Sequence, residues 1–200
     1  MKVPLDFNAQ IILNSVKDIR QQDEIDKNKA RLDSLNIGEM TDLRFPATQT
    51  MVGALDKPDF DYTNIGLLFP ENNESEAIYI VAQMPHSWQE GTTIFPHVHI
   101  RQTQATVPKF EMEYKIYNVG DTVPATFSNY VMDTGAITWT SGTIGQLIHG
   151  GAGIDMTGFT ASAIILIKLY RQTGDGYTGD VLFDEFDIHY QVSKLGKNIV

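Results

Sequence analysis

The stretch Met84-Pro-His-Ser-Trp-Gln-Glu-Gly-Thr-Thr-Ile-Phe-Pro-His97-Val-His99-Ile100 passes through a polar turn at Gln89-Glu-Gly91 and ends on an alternation. Ile94, Val98 and Ile100 fall on one side of that run, and Phe95, His97, His99 and Arg101 on the other. Successive side chains of a strand point to opposite faces, so the run reads as a β-strand with one apolar face and one face carrying both histidines. Two later segments have the same character. Residues 109–118 set Phe110, Met112, Tyr114 and Ile116 against Glu111, Glu113, Lys115 and Tyr117. Residues 182–191 set Leu182, Phe186, Ile188 and Tyr190, with Asp184, against Phe183, Glu185, Asp187, His189 and Gln191. Antiparallel sheets that bury one side read this way.

Working outward, strands are expected at 77–84, 94–102, 109–118, 127–132, 136–141, 146–149, 161–171 and 182–191. Turn residues separate them: Glu71-Asn-Asn73, Gly120-Asp121, Thr134-Gly135, Gly150-Gly-Ala-Gly153 and Thr173-Gly-Asp-Gly176. Many short strands with glycine-rich turns indicate a sandwich or barrel, and about eight fits a jelly roll. The expected fold is mainly β, a jelly-roll-like antiparallel β-sandwich over residues 41–200. Gly174-Asp-Gly176-Tyr-Thr-Gly179 is expected to be a hairpin loop between the last two strands.

Residues 1–40 differ. From Asp6 to Leu35 there is no proline or glycine. Ile12, Val16 and Ile19 recur at helical spacing, and Ile25, Leu32 and Leu35 do so out of phase with them. Asn36-Ile-Gly38 is a C-cap signal. We expect an N-terminal helical attachment or oligomerisation segment whose narrow apolar stripe, Ile12, Val16 and Ile19, meets a partner.

Composition excludes several classes. The 200 residues carry a net charge of -10 without a Lys/Arg cluster, against a nucleic-acid partner. The longest apolar run, 163–170, is interrupted by Lys168 and is too short to span a bilayer, so no membrane partner is expected. The N-terminus lacks the basic start and apolar run of a secretory leader, so synthesis in a cytoplasm is expected. With no cysteine there is neither a disulfide nor a thiolate metal site.

The histidine pair is the main chemical signal. Gly91, five residues, then His97-Val-His99 matches the opening of the cupin metal motif. Neutral imidazoles two residues apart on a strand can share a divalent ion. The glutamate that should follow within a few residues is missing from 100–107; Glu111 or Glu113 could stand in from the next strand, with His189 completing the set. The candidate metal ligands are therefore His97, His99 and His189. The competing reading makes them part of a hydrated or intersubunit polar surface, with no cofactor at all. Gly150-Gly-Ala-Gly153 lacks the Gly-Lys-Ser/Thr of a P-loop. Asp184 and Glu185 should point to opposite faces, which leaves Glu185 and Asp187 as the carboxylate pair a glycosidase would need. Trp88 and Trp139 are candidates for a sugar-stacking platform.

Several segments resemble a family of tailed-bacteriophage virion structural proteins: Asp42-Leu-Arg-Phe-Pro46, Lys57-Pro-Asp-Phe-Asp61, Gln83-Met-Pro-His86, Glu90-Gly91, Pro96-His-Val-His99, Glu113-Tyr114, Leu169-Tyr-Arg171 and Asp187-Ile-His-Tyr190. The resemblance covers about residues 41–191 and leaves out the N-terminus. It implies a non-enzymatic virion component, a trimeric surface protein of capsid-decoration, head-fibre or tail-collar type, made in the host bacterial cytoplasm. Its implied partners are its own copies, capsid or portal/tail proteins, and a host surface glycan. A cupin-like metal enzyme and a glycan-binding jelly-roll module are the alternatives.

Overall fold

The computed structural model describes residues 19, 21–27 and 39–193. The chain divides into two units, Met1–Gly38 and Glu39–Val200. In the first, residues 21–27 are helical, and Ile19 and Ile25 are exposed. Ile12, Val16 and the Asn36-Ile-Gly38 cap lie outside the described residues.

The second unit is a β-sandwich whose described strands are β1 (Met40–Pro46), β2 (Met51–Val52), β3 (Asp59–Asp61), β4 (Gly66–Phe69), β5 (Ala77–Gln83), β6 (Phe95–Gln102), β7 (Phe110–Tyr117), β8 (Ser128–Met132), β9 (Thr134–Gly135), β10 (Ile144–His149), β11 (Ile164–Arg171) and β12 (Val181–Gln191). One sheet runs β3-β4-β12-β6-β10-β9, with β1 also on β12; the other runs β2-β5-β11-β7-β8. Every pairing is antiparallel. Four-stranded cores β4-β12-β6-β10 and β5-β11-β7-β8, with the chain passing repeatedly between sheets, make a jelly roll.

The buried faces of the two sheets form one core. Phe69 on β4, Phe110 on β7 and Phe183 on β12 meet across the sheets, with edge-to-face centroids at 5.4 Å for Phe69–Phe110 and Phe69–Phe183. Each buried ring stabilises the fold by ~1.5–3 kcal/mol through area alone. Val98 and Ile100 point into this core, as the alternation around the histidines requires.

Four expectations change. First, β11 and β12 belong to different sheets, so residues 172–180 are a crossover and not a hairpin loop. Second, residues 136–141 form no strand. Gln146 binds both backbone groups of Ile137, and the Trp139 indole donates to the Gly142 carbonyl, so local polar contacts hold that segment. Third, Thr134-Gly135 is a short strand on β10. Fourth, β12 carries a bulge. Phe183 pairs Ile100 and Glu185 pairs His99, which makes Asp184 an extra residue. The phase reverses there, so Val181 and Phe183 face the core before it, and Phe186 and Ile188 after it. Leu182 is thereby turned out of the core that the plain alternation gave it.

Candidate metal centre

Sheet order brings the three candidate histidines together. β6 supplies His97 and His99, and its neighbour β12 supplies Asp187 directly opposite His97, Glu185 opposite His99, and His189 opposite Phe95. On the far side of β12, β1 places Asp42 opposite His189 and Arg44 opposite Asp187. On the far side of β6, β10 places His149 opposite His97. All these groups stand on the outer face of the first sheet, away from the core. A cupin-type placement inside the barrel is therefore not met.

The expected glutamates do not join them. Glu111 and Glu113 sit on β7 in the other sheet, because the strand next in sequence to β6 is not its neighbour in space. Glu111 accepts from Asn129 and Gln172, and Glu113 pairs with Lys168 at 3.2 Å. The carboxylate beside the histidines is Asp187, which sequence reasoning placed on the right face without recognising as a ligand. The signal was the matched alternation of Pro-His-Val-His and Asp-Ile-His; what was missing was the register.

His97 is 2% exposed and Asp187 3%. His97 Nε2 lies 3.6 Å from Asp187 Oδ2, and His99 Nε2 lies 3.3 Å from the same oxygen. His189 Nε2 is 2.7 Å from Asp42 Oδ1, and its ring centroid is 4.1 Å from that of His97. Donor atoms of His97, His99 and Asp187 all lie within 4.8 Å of one another, as do those of Asp42, His97 and His189. A hollow of about 380 Å³ opens beside them, lined also by Arg44, Asp184 and Glu185.

Charge pairing is uneven. Arg44 grips both oxygens of Glu185, and Arg101 pairs with Asp184 at 2.9 Å. Burial pushes the Asp187 carboxyl up, but the imidazoles of His97 and His99 outweigh it and hold Asp187 well below the usual carboxylate range. The bond to Asp187 raises His99, against its own burial. Burial, and then the neighbouring His97, lower His189.

This geometry changes the faces assigned to the glycosidase carboxylates and the exposure assigned to the sugar platform. The bulge lets Asp184 and Glu185 line the same hollow, contrary to the simple alternation, but each is taken by an arginine. Trp88 is buried and its indole donates to Thr92 at 3.0 Å, so it forms no exposed platform with Trp139.

A second surface lies on the other sheet. Met51 and Val52 on β2, Tyr79 and Val81 on β5, Leu166 on β11, and Phe127 before β8 line a hollow of about 620 Å³ on its outer face. Met51 is 72% exposed and Val81 70%.

No family model and no curated protein matches the chain. Among solved structures it is similar to the CBM36-1 domain of a multidomain xylanase from the hindgut metagenome of Trinervitermes trinervoides, with 9% identity, a TM-score of 0.35, and 74% of this chain and 96% of that one covered. It is also similar to a carbohydrate-binding module CBM36 in complex with calcium and xylotriose (10% identity, TM-score 0.35, 73% and 98% covered). A third is Eiger TNF from S. frugiperda (8% identity, TM-score 0.27, 80% and 98% covered). At these values the likenesses carry no argument about ligand or activity, and a fold of this kind hosts unrelated functions.

Proposed function

We propose that the chain is a non-enzymatic structural component of a tailed-bacteriophage particle. In this reading it is a trimeric surface module of capsid-decoration, head-fibre or tail-collar type, held to capsid or portal/tail proteins by its N-terminal segment. The observation that carries self-association is the apolar outer face of β2, β5 and β11. Soluble monomers rarely expose contiguous apolar surface of this kind, and such a patch marks a protein interface or a binding groove. Burying it between copies would remove Met51, Val52, Tyr79 and Val81 from water in a closed symmetric assembly. The segment resemblances quoted above support the particle assignment.

The test is native mass spectrometry of the full chain beside Val81→Glu. The expected result is a trimer that the substitution dissociates without unfolding. A monomeric wild-type chain would reject the reading. A second reading, glycan binding, is favoured by the partly exposed rings of Tyr79 and Phe127 beside the same hollow. It predicts glycan-array signals that Tyr79→Ala abolishes while leaving oligomer size unchanged.

A further inference from the structure

We propose that His97, His99 and Asp187 bind a divalent transition-metal ion of the zinc type, bridging β6 and β12 on the outer face of the first sheet. The inference is independent of how many copies associate.

Three observations carry it. The first is an orphaned buried atom: His97 Nε2 has no hydrogen-bond partner, although it stands 3.6 Å from Asp187 Oδ2. Buried polar atoms are almost always satisfied, so a bare imidazole nitrogen beside a carboxylate asks for an occupant. The 3.6 Å separation of His97 Nε2 from Asp187 Oδ2 is too long for a hydrogen bond.

The second is the direction of the lone pair. His97 Nδ1 lies 3.4 Å from the Phe95 carbonyl, an acceptor only. In the neutral tautomer with the proton on Nδ1, Nε2 is free to bind a cation beside the carboxylate. Backbone carbonyls orient metal-binding imidazoles in this way.

The third is charge and spacing. Glu185 and Asp184 each have an arginine, whereas Asp187 has no arginine or lysine ion pair among the described residues. Zinc-to-nitrogen and zinc-to-oxygen bonds of ~2.0–2.1 Å place tetrahedral ligands ~3.3–3.4 Å apart. The 3.3 and 3.6 Å from His99 and His97 to Asp187 are close to two such edges, and all three donor atoms lie within 4.8 Å of one another. Two imidazoles and one carboxylate suit a transition metal better than calcium or magnesium, which prefer all-oxygen shells. The fourth position would open into the 380 Å³ hollow. His189 and Asp42 already satisfy one another at 2.7 Å and act as neighbours of the site.

The experiment strips the full-length chain with a chelator and titrates it with Zn(II), reading stoichiometry by native mass spectrometry and affinity by calorimetry. Co(II) then serves as the spectroscopic probe. The expected result is one ion per chain and visible tetrahedral Co(II) bands. Binding should be at least tenfold weaker in both His99→Ala and Asp187→Asn, and unchanged in His86→Ala. Because His99 is half-buried, its substitution should leave a folded chain even if Asp187→Asn does not. A wild-type chain that takes up no ion, or one whose affinity is the same in His99→Ala, overturns the proposal.

Discussion

Arg171 and Asp175, four residues apart, form a buried bidentate ion pair, with Nε to Oδ2 at 2.8 Å and a terminal nitrogen to Oδ1 at 3.0 Å. The same guanidinium donates to the carbonyls of Phe69, Tyr177 and Gly179. Asp175 also accepts from the backbone of Lys109 and Tyr177. The pair therefore ties the crossover between the two sheets to β4 and β7. Removing one partner strands the other in the interior. Arg171→Ala should cost ~3–5 kcal/mol by chemical denaturation. A loss under about 1 kcal/mol would mean that the pair behaves like an exposed one.

Acid should expose the same device. Burial pushes the Asp175 carboxyl up, but Arg171 and the two backbone donors prevail and hold it below its ordinary value. A depressed folded-state value adds stability that is present above the unfolded value, about 3.9, and lost as pH falls through the folded one. The urea midpoint should therefore drop as pH falls below about 4. Asp175→Asn should start lower at neutral pH and fall less steeply. Parallel curves for the two proteins would contradict this assignment.

The bulge in β12 makes a contrast between adjacent residues. Phe183 is wholly buried and Leu182 only partly so. Phe183→Ala should cost ~3–5 kcal/mol. Leu182→Ala should cost about 1 kcal/mol or less. The opposite order would mean an unbulged strand.

Gly150 and Gly151 form a second adjacent contrast. A Cβ on Gly150 would stand 2.4 Å from the Val131 carbonyl oxygen and 2.6 Å from the Tyr130 ring, whereas one on Gly151 would meet nothing within 4 Å. Gly150→Ala should lose ~1–3 kcal/mol through overpacking. Gly151→Ala should be nearly neutral, and differential scanning calorimetry would separate them.

Much of the fold was legible from period-two alternation. The strands around His97, Phe110 and Ile188 have one buried face that no other element type would give them. The short strands β2, β3 and β4 were not legible, because two to four residues are too few to show a period. Neither was the bulge at Asp184, because an inserted residue leaves composition unchanged while inverting every face on one side of it. The site divides in the same way. His97 and His99 could be paired from their spacing along one strand, but Asp187 and Asp42 join them only through register with β12 and β1. The choice of Glu111 or Glu113 failed because β6 and β7, consecutive in the chain, lie in different sheets. The crossover at 172–180 was read as a hairpin for the same reason.

β12 is held by β6 along one edge and by β4 and β1, end to end, along the other. It is also the last described strand to leave the ribosome, and its link to β1 spans a separation of 141 residues at Arg44–Glu185. Until it arrives, β1, β4 and β6 have open edges and no shared partner. The sheet must therefore stay unsealed until β12 inserts and joins the three in one step. Such non-local closure makes for slow folding and a window of aggregation during synthesis. It also means that the histidines and Asp187 first meet only once β12 has been made and inserted.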